Sequence, residues 1–548
     1  MIDSTASRLL LAPLVGACIL AGYPGRSLAD DPPAKKDDAP DKQDAPDRNP
    51  DHKEDAPDRK DDAPGRKDDA ADQALRDQVR ALQQRVDDLS KKAAPDNAAG
   101  TQAAKPDGDQ RPGPSGAANA KPGEGGSASA GPPPLTWNGI TLYGAIDVGI
   151  AHLTHGAPLS NTYGPSLPYV LQAYSNRPLT SIANNGLTTS KLGLSGSEPL
   201  GLLDLKGVFK LETGFQPTSG RLTDGPKSLI DNNGVANDKK ISSGDSSRAG
   251  QPFQNAAYIG VSSKLLGTLT FGRQLSLLGE SLARHDPLPA SPAFSPIAYS
   301  GTAGGFGDTE DKNQDDTVKY AFAWGPARLA VLYQFGKKGY EPEGGASASI
   351  GASFAGLSVD AVYGFVRGAI FSSSLNAAQN AMAPGTLAGR VSDNTAYSLM
   401  GNYKISRIKL YAGYEHMRFA NPKDPLPNGT VTIGGYVLST VTNTAFTIHR
   451  NLEYSWGGAT VSATPHLDIT AAYYHFQQNS YNANGCTDNS AGNCAGTLDF
   501  GSVVADYRLT RRFGTYAGVN YSTAANGLAS GFLFTSNMST MIGIRFIF

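Results

Sequence analysis

The sequence predicts an all-β protein: an antiparallel transmembrane barrel of about sixteen strands, preceded by a disordered tether and a short coiled-coil helix. Three observations carry this. Gly (63), Tyr (23) and Phe (20) are abundant in 548 residues of which only 18% are charged, a composition of tight turns and half-apolar pleated surfaces. Downstream of Trp137, apolar residues recur at every second position in about sixteen segments, the period of a strand with one apolar face. The connections between those segments alternate between long and short, which places all short turns and both termini at one end of an even-stranded barrel.

Residues 1–29 have the build of a secretory signal, with Arg8, an apolar run over 9–21 and Ser27-Leu28-Ala29 as a cleavage site. An alternative lies in Val15-Gly16-Ala17-Cys18, where Cys18 would be lipidated. Export leaves Cys486 and Cys494 as an even pair in "NGCTDNSAGNC", for which an oxidising compartment predicts a disulfide. A metal site there lacks further Cys or His ligands nearby. No later stretch offers the roughly 18 apolar residues a membrane helix needs, so any crossing must use strands.

Residues 30–70 repeat Asp-Ala-Pro at Asp38, Asp44, Asp55 and Asp62 among Lys, Arg and Asp, too polar to repay their ordering entropy, and read as a solvated tether. In residues 71–92, Leu75, Val79, Leu82, Val86 and Leu89 step by 4, 3, 4 and 3, a heptad seam. Two heptads are marginal alone, so the seam follows whatever stoichiometry the attached domain imposes, or lies as a single amphipathic helix on its own protein. Residues 93–134 form a Gly, Ala, Pro and Ser linker, and residues 135–548 form the barrel. Charge is unevenly spread: residues 30–134 carry 23 acidic and 17 basic side chains (net −6), residues 135–548 carry 26 and 29 (net +3). Neither part is basic enough for nucleic acid.

The first strand sets the pattern: in "NGITLYGAIDVGI", Ile140, Leu142, Ile146, Val148 and Ile150 share one face, and Thr141, Tyr143, Ala145, Asp147 and Gly149 the other. A sixteen-stranded barrel is too wide to fill with side chains, so its inward residues line water and set the charge of the lumen. Lys191, Lys206, Lys210 and Lys319 fall on inward faces, with Asp204 and Glu212 among them, and such lysines would make a positive wall. The terminal "MIGIRFIF" places Ile542, Ile544, Phe546 and Phe548 towards lipid and Gly543 and Arg545 towards water; this strand must close on the first, because an open edge is untenable in hydrocarbon.

The chain resembles the trimeric general porins of Gram-negative outer membranes, of the β-proteobacterial type. The resemblance rests on "ITLYGAIDVGI", "SKLGLSGSEPLG", "LKGVFKLETGF", "AAYIGVSSKLLGTLTFGRQ", "DDTVKYAF", "GTLDFGSVVADYRLTRRFGTYAGVNYS", "NGLASGF" and Phe548, in that order across residues 135–548. It implies a homotrimer whose third long loop, residues 275–316, folds into the barrel and sets the constriction, with a basic wall facing loop acids. Lys191 stands where the family carries an Arg, Arg273 matches the family's Gly-Arg, and Lys312 and Lys319 both remain candidates for the third basic position. Asp308, Glu310 and Asp311 are the implied loop acids. Arg273 shares parity with the lipid-facing Leu269 and Phe271, where an Arg near mid-membrane would cost about 2–4 kcal/mol, so a bulge or strand end is expected there.

The resemblance further implies that Phe548 is read by the barrel-insertion machinery. The bilayer and lipopolysaccharide are expected partners, peptidoglycan remains an open one, and no cofactor or metal is expected. The expected function is passive diffusion of small hydrophilic solutes and ions, in the outer membrane, with the N-terminal extension in the periplasm. The alternative is a structural anchor linking barrel to cell wall. An enzyme is not expected, since His416, His466 and His475 have no Ser-containing catalytic motif beside them.

Overall fold

Period-2 patterning becomes a closed barrel here because each apolar face has a hydrocarbon environment to meet and each strand edge has a partner. A computed structural model of the chain describes Gln84 and residues 135–548, apart from 156–177, 203, 219, 221, 223–226, 237–238, 240–251, 299–311, 337–342, 432–435, 482–490 and 531–532. The chain divides into units 1–107 and 108–548. The tether, the seam residues Leu75, Val79, Leu82, Val86 and Leu89, and the linker lie outside the described residues.

The sixteen staves are β1 (Ile140–Leu153), β2 (Leu179–Asn184 and Lys191–Pro199), β3 (Lys206–Gly214), β4 (Ala256–Ser263), β5 (Gly267–Leu275), β6 (Asn313–Trp324), β7 (Ala327–Phe335), β8 (Gly344–Phe354), β9 (Leu357–Ser373), β10 (Leu387–Ile405), β11 (Ile408–Ala420), β12 (Arg450–Ser462), β13 (Leu467–Gln478), β14 (Gly496–Arg508), β15 (Phe513–Asn526) and β16 (Ser536–Ile547). Each pairs antiparallel with the next, and β16 pairs with β1. Three short segments stand outside this count: Leu135–Trp137, Thr430–Val431 and Val437–Thr442, the last running parallel to the start of β10. Seven short turns share one end and eight longer connections the other, as the alternation predicts. In the β8–β9 turn Ala355 and Gly356 both have positive φ (49° and 84°), the handedness that matches the twist of a two-residue hairpin.

The sequence reading missed Leu179–Asn184, six residues inside the expected first long loop. It pairs with the upper part of β1, while Lys191–Pro199 pairs with the lower part. The break between the pieces is organised by Asp147, whose carboxylate accepts hydrogen bonds from the backbone N–H groups of Gly186, Leu187 and Thr188 and from the Tyr516 hydroxyl at 2.6 Å. Strands β9 and β10 run to 17 and 19 residues, longer than the roughly ten expected for a barrel stave.

Outward faces are apolar, with Ile150, Ile182 and Ile542 each at least 60% exposed. The seam closes at the chain end: Gly144 N–H donates to the Phe548 carbonyl at 2.9 Å, Phe548 N–H donates back at 3.1 Å, and the Phe548 ring stacks on Phe546. Inward faces differ around the barrel. On β1 to β6 they carry Tyr143, Lys191, Lys210, Thr270 and Lys319. From β7 to β15 the wall is mixed: Leu332, Val362, Met400, Trp456, Tyr474 and Phe500 are buried in one cluster with residues of the β5–β6 loop, among polar neighbours such as Asp360, Glu415 and Asn520.

Candidate pore constriction

A short helix α1 (Lys227–Asp231) lies in the β3–β4 connection, and the β5–β6 connection contains helix α2 (Leu277–His285). Ser276 caps it, its hydroxyl accepting from Gly279 N–H at 3.0 Å, and Leu278 and Leu282, one turn apart, join Leu277 in facing the wall. Beyond the helix the chain stays inside the barrel. Trp456 Nε1–H donates to the His285 carbonyl, Asn520 to that of Ala293, and Ser502 to that of Phe294. Ser291 and Ala293 donate to the Gly186 carbonyl beside β1. Ties to β12, β14, β15 and the break in β2 carry this loop across the lumen, and Phe294 packs edge-on against Tyr516. The folded-in loop therefore covers the apolar part of the wall and leaves the polar part facing it.

Two acids fix the loop. Asp360 of β9, 1% exposed, accepts from Arg284 Nε at 3.1 Å, His285 Nε2 at 3.0 Å and Arg328 Nε at 2.6 Å. Nδ1 of His285 accepts from the Asn402 amide, which leaves Nε2–H to donate to Asp360, and burial lowers the His285 pKa against the pull of that carboxylate. Asp286 is fully enclosed, and burial raises its pKa against the pull of donors from Ser295, Tyr474, Leu288 and Ala290. It turns the chain after α2.

On the facing wall, Glu212 of β3 is clamped by Lys191 Nζ at 3.5 Å and Lys210 Nζ at 3.3 Å. Tyr143 donates to the same carboxylate at 2.8 Å and Asn255 at 3.3 Å. Each ammonium has three donors, so both lysines retain hydrogens for a passing solute, and two cations against one anion leave this patch at +1. Lys319 of β6 reaches the loop itself, pairing with Glu280 of α2 at 2.6 Å. Lys312 lies against the first turn of α2, where a Cβ on Gly279 would come 3.1 Å from its Cβ.

The other expected residues fall as follows. The bulge expected near Arg273 is present: the β5–β6 register shifts between Gly272 and Gln274, with Gly272 and Asp316 both at positive φ. Arg273, 7% exposed, binds Asp315 at 2.7 Å and the carbonyls of Gln254 and Asn313. Lys206 is exposed at the short-turn end of β3, four residues and about 13 Å along the strand from Lys210. Asp308, Glu310, Asp311 and Cys486 lie outside the described residues, while Cys494 is disulfide-bonded. Sequence reasoning missed Glu280, Arg284, His285, Arg328 and Asp360. The inward parity of Asp360 and the capped "SLLGESLARH" were legible, but their partners were not.

A closed sixteen-stranded barrel, crossed by a long loop that faces a charged wall, is the architecture of a diffusion channel of the outer membrane. The chain belongs to the Gram-negative porin family, whose sequence profile matches residues 114–527. Among solved structures, the anion-selective porin from Comamonas acidovorans is 15% identical over 75% of this chain and 99% of its own, with a TM-score of 0.50. OmpT of Vibrio cholerae is 15% identical over 76% and 100%, TM-score 0.47, and Salmonella typhi OmpF in complex with daunomycin 15% over 75% and 97%, TM-score 0.43. At these identities the likeness to the Comamonas porin is one of fold. No curated protein matches the chain. The protein is an outer-membrane porin channel.

Proposed function

We propose that the channel passes small hydrophilic solutes and ions by passive diffusion, favouring anions, through the aperture between Lys191, Lys210 and Glu212 on the wall and α2 on the loop. The single observation that carries this is the pair of ammonium groups converging on one carboxylate opposite a loop that crosses the lumen. Nothing is transformed; the wall replaces part of a solute's hydration shell with Lys, Tyr and Asn donors and releases it to water. The Comamonas porin, named as anion-selective, has the same fold.

The assembly is a homotrimer in contact with bilayer lipid and lipopolysaccharide, inserted by machinery that reads Phe548. The N-terminal extension lies in the periplasm, its heptads associating beneath the pore, and a Cys486–Cys494 disulfide ties the β13–β14 loop. Single-channel recording in a planar bilayer tests the channel reading: discrete ion-conducting steps are expected, and silent, correctly folded trimers would overturn it. Deleting residues 30–131 leaves conductance unchanged if the extension is only a tether.

A further inference from the structure

The outer wall carries an open slot whose floor lies on β8. Its floor is Gly344, Ala346 and Ala348, the outward residues of three successive rungs, where neighbouring strands present bulk. Tyr333 and Val331 of β7 form one side and Phe365 and Tyr363 of β9 the other, and the open depression, which reaches past Val331 to Val318 and Tyr320 of β6, holds about 390 Å³. Ile350, 63% exposed, closes it towards the short-turn end. At the long-loop end the floor is glycine, so the slot is open, and there the Arg367 guanidinium sits 5.6 Å from the Phe365 ring centroid. No acidic side chain among the described residues pairs with Arg367.

The geometry points to a seat for one acyl chain of a phosphorylated glycolipid of the outer leaflet, a lipid A, with Arg367 on a phosphate. This rests on the proposed placement in the outer membrane with the long loops outermost. The floor from Gly344 to Ala348 spans about 13 Å between apolar and aromatic sides, a length and a chemistry that one extended alkyl segment fits. A cation at the mouth selects an anionic headgroup, and a guanidinium fits phosphate oxygens bidentately.

The test titrates refolded, lipid-free full-length protein with bis-phosphorylated lipid A in detergent micelles, read by native mass spectrometry, with phosphatidylethanolamine as comparison. One retained lipid A per chain is expected, weakened roughly tenfold in Ala348→Trp through the lost burial of about two methylenes. Arg367→Glu should weaken lipid A more than phosphatidylethanolamine, whose phosphate charge is offset by its own ammonium. Single-channel conductance of both variants should equal that of the parent, because both side chains lie outside the lumen; a silent parent would sink the channel reading without touching the lipid result. Equal retention by Ala348→Trp, equal binding of the two lipids, or disulfide cross-linking between copies through Ala348→Cys in membranes overturns the proposal.

Discussion

Replacing Lys191 and Lys210 together by Gln removes two positive charges from the constriction while leaving Glu212 hydrogen-bonded by Tyr143 and Asn255. An ion passing about 7 Å from each ammonium interacts with it by about 0.6 kcal/mol in water, reduced to about 0.25 kcal/mol by screening at physiological salt. Losing both changes the energy of each permeating ion by about 0.5 kcal/mol, with opposite sign for chloride and potassium. The two shifts add to about 1 kcal/mol, roughly a fivefold change in permeability ratio towards cations. The assay is the reversal potential across a planar bilayer under a potassium chloride gradient. An unchanged reversal potential in a double variant of normal conductance refutes the placement of the constriction on this wall.

Arg273→Glu should behave in the opposite way. It sets a carboxylate against Asp315 at a buried bulge, costing about 3–5 kcal/mol, so the yield of folded barrel should fall while surviving channels keep parental selectivity. Asp360→Asn removes the charge that holds Arg284, His285 and Arg328; because Arg284 is about a third exposed, the loss should sit near the lower end of the 3–5 kcal/mol range, seen as a lower unfolding temperature and noisier open-channel current. Gly518→Ala would put a Cβ 2.6 Å from the Phe294 ring, and overpacking of about 1–3 kcal/mol should loosen the loop there, raising mean conductance measured in single channels.

Much of the barrel was legible because its signals are local. Alternation in "NGITLYGAIDVGI" and "MIGIRFIF" located the first and last staves and the face each buries, and the hydrogen bonds between Gly144 and Phe548 close the seam they imply. The parity conflict at Arg273 was visible as a conflict, and the structure resolves it with an extra residue, Asp316 at φ 53°, opposite the Gly272–Gln274 stretch. The constriction was legible only in part. Lys191, Lys210 and Lys319 were read as inward lysines, but the acids that meet them are Glu212 of the wall itself and Glu280 of the helix. Glu280 sits 39 positions from Lys319, a pairing that no local pattern announces.

By itself the sequence determined the class, the strand order and which end of the barrel carries the start of the first stave and the end of the last, since side-chain period and turn length depend only on neighbouring residues. The tertiary structure alone decided which inward faces meet water. Val362, Met400 and Phe500 stand on inward faces, yet they are buried in one cluster with Leu277, Leu282 and Phe294 of the β5–β6 loop. That loop is held by contacts 105 to 227 positions apart, from Ser291 to Gly186 and from Asn520 to Ala293. An apolar inward face is unfavourable against water and favourable against an apolar loop, and the choice between them exists only once the chain has closed on itself.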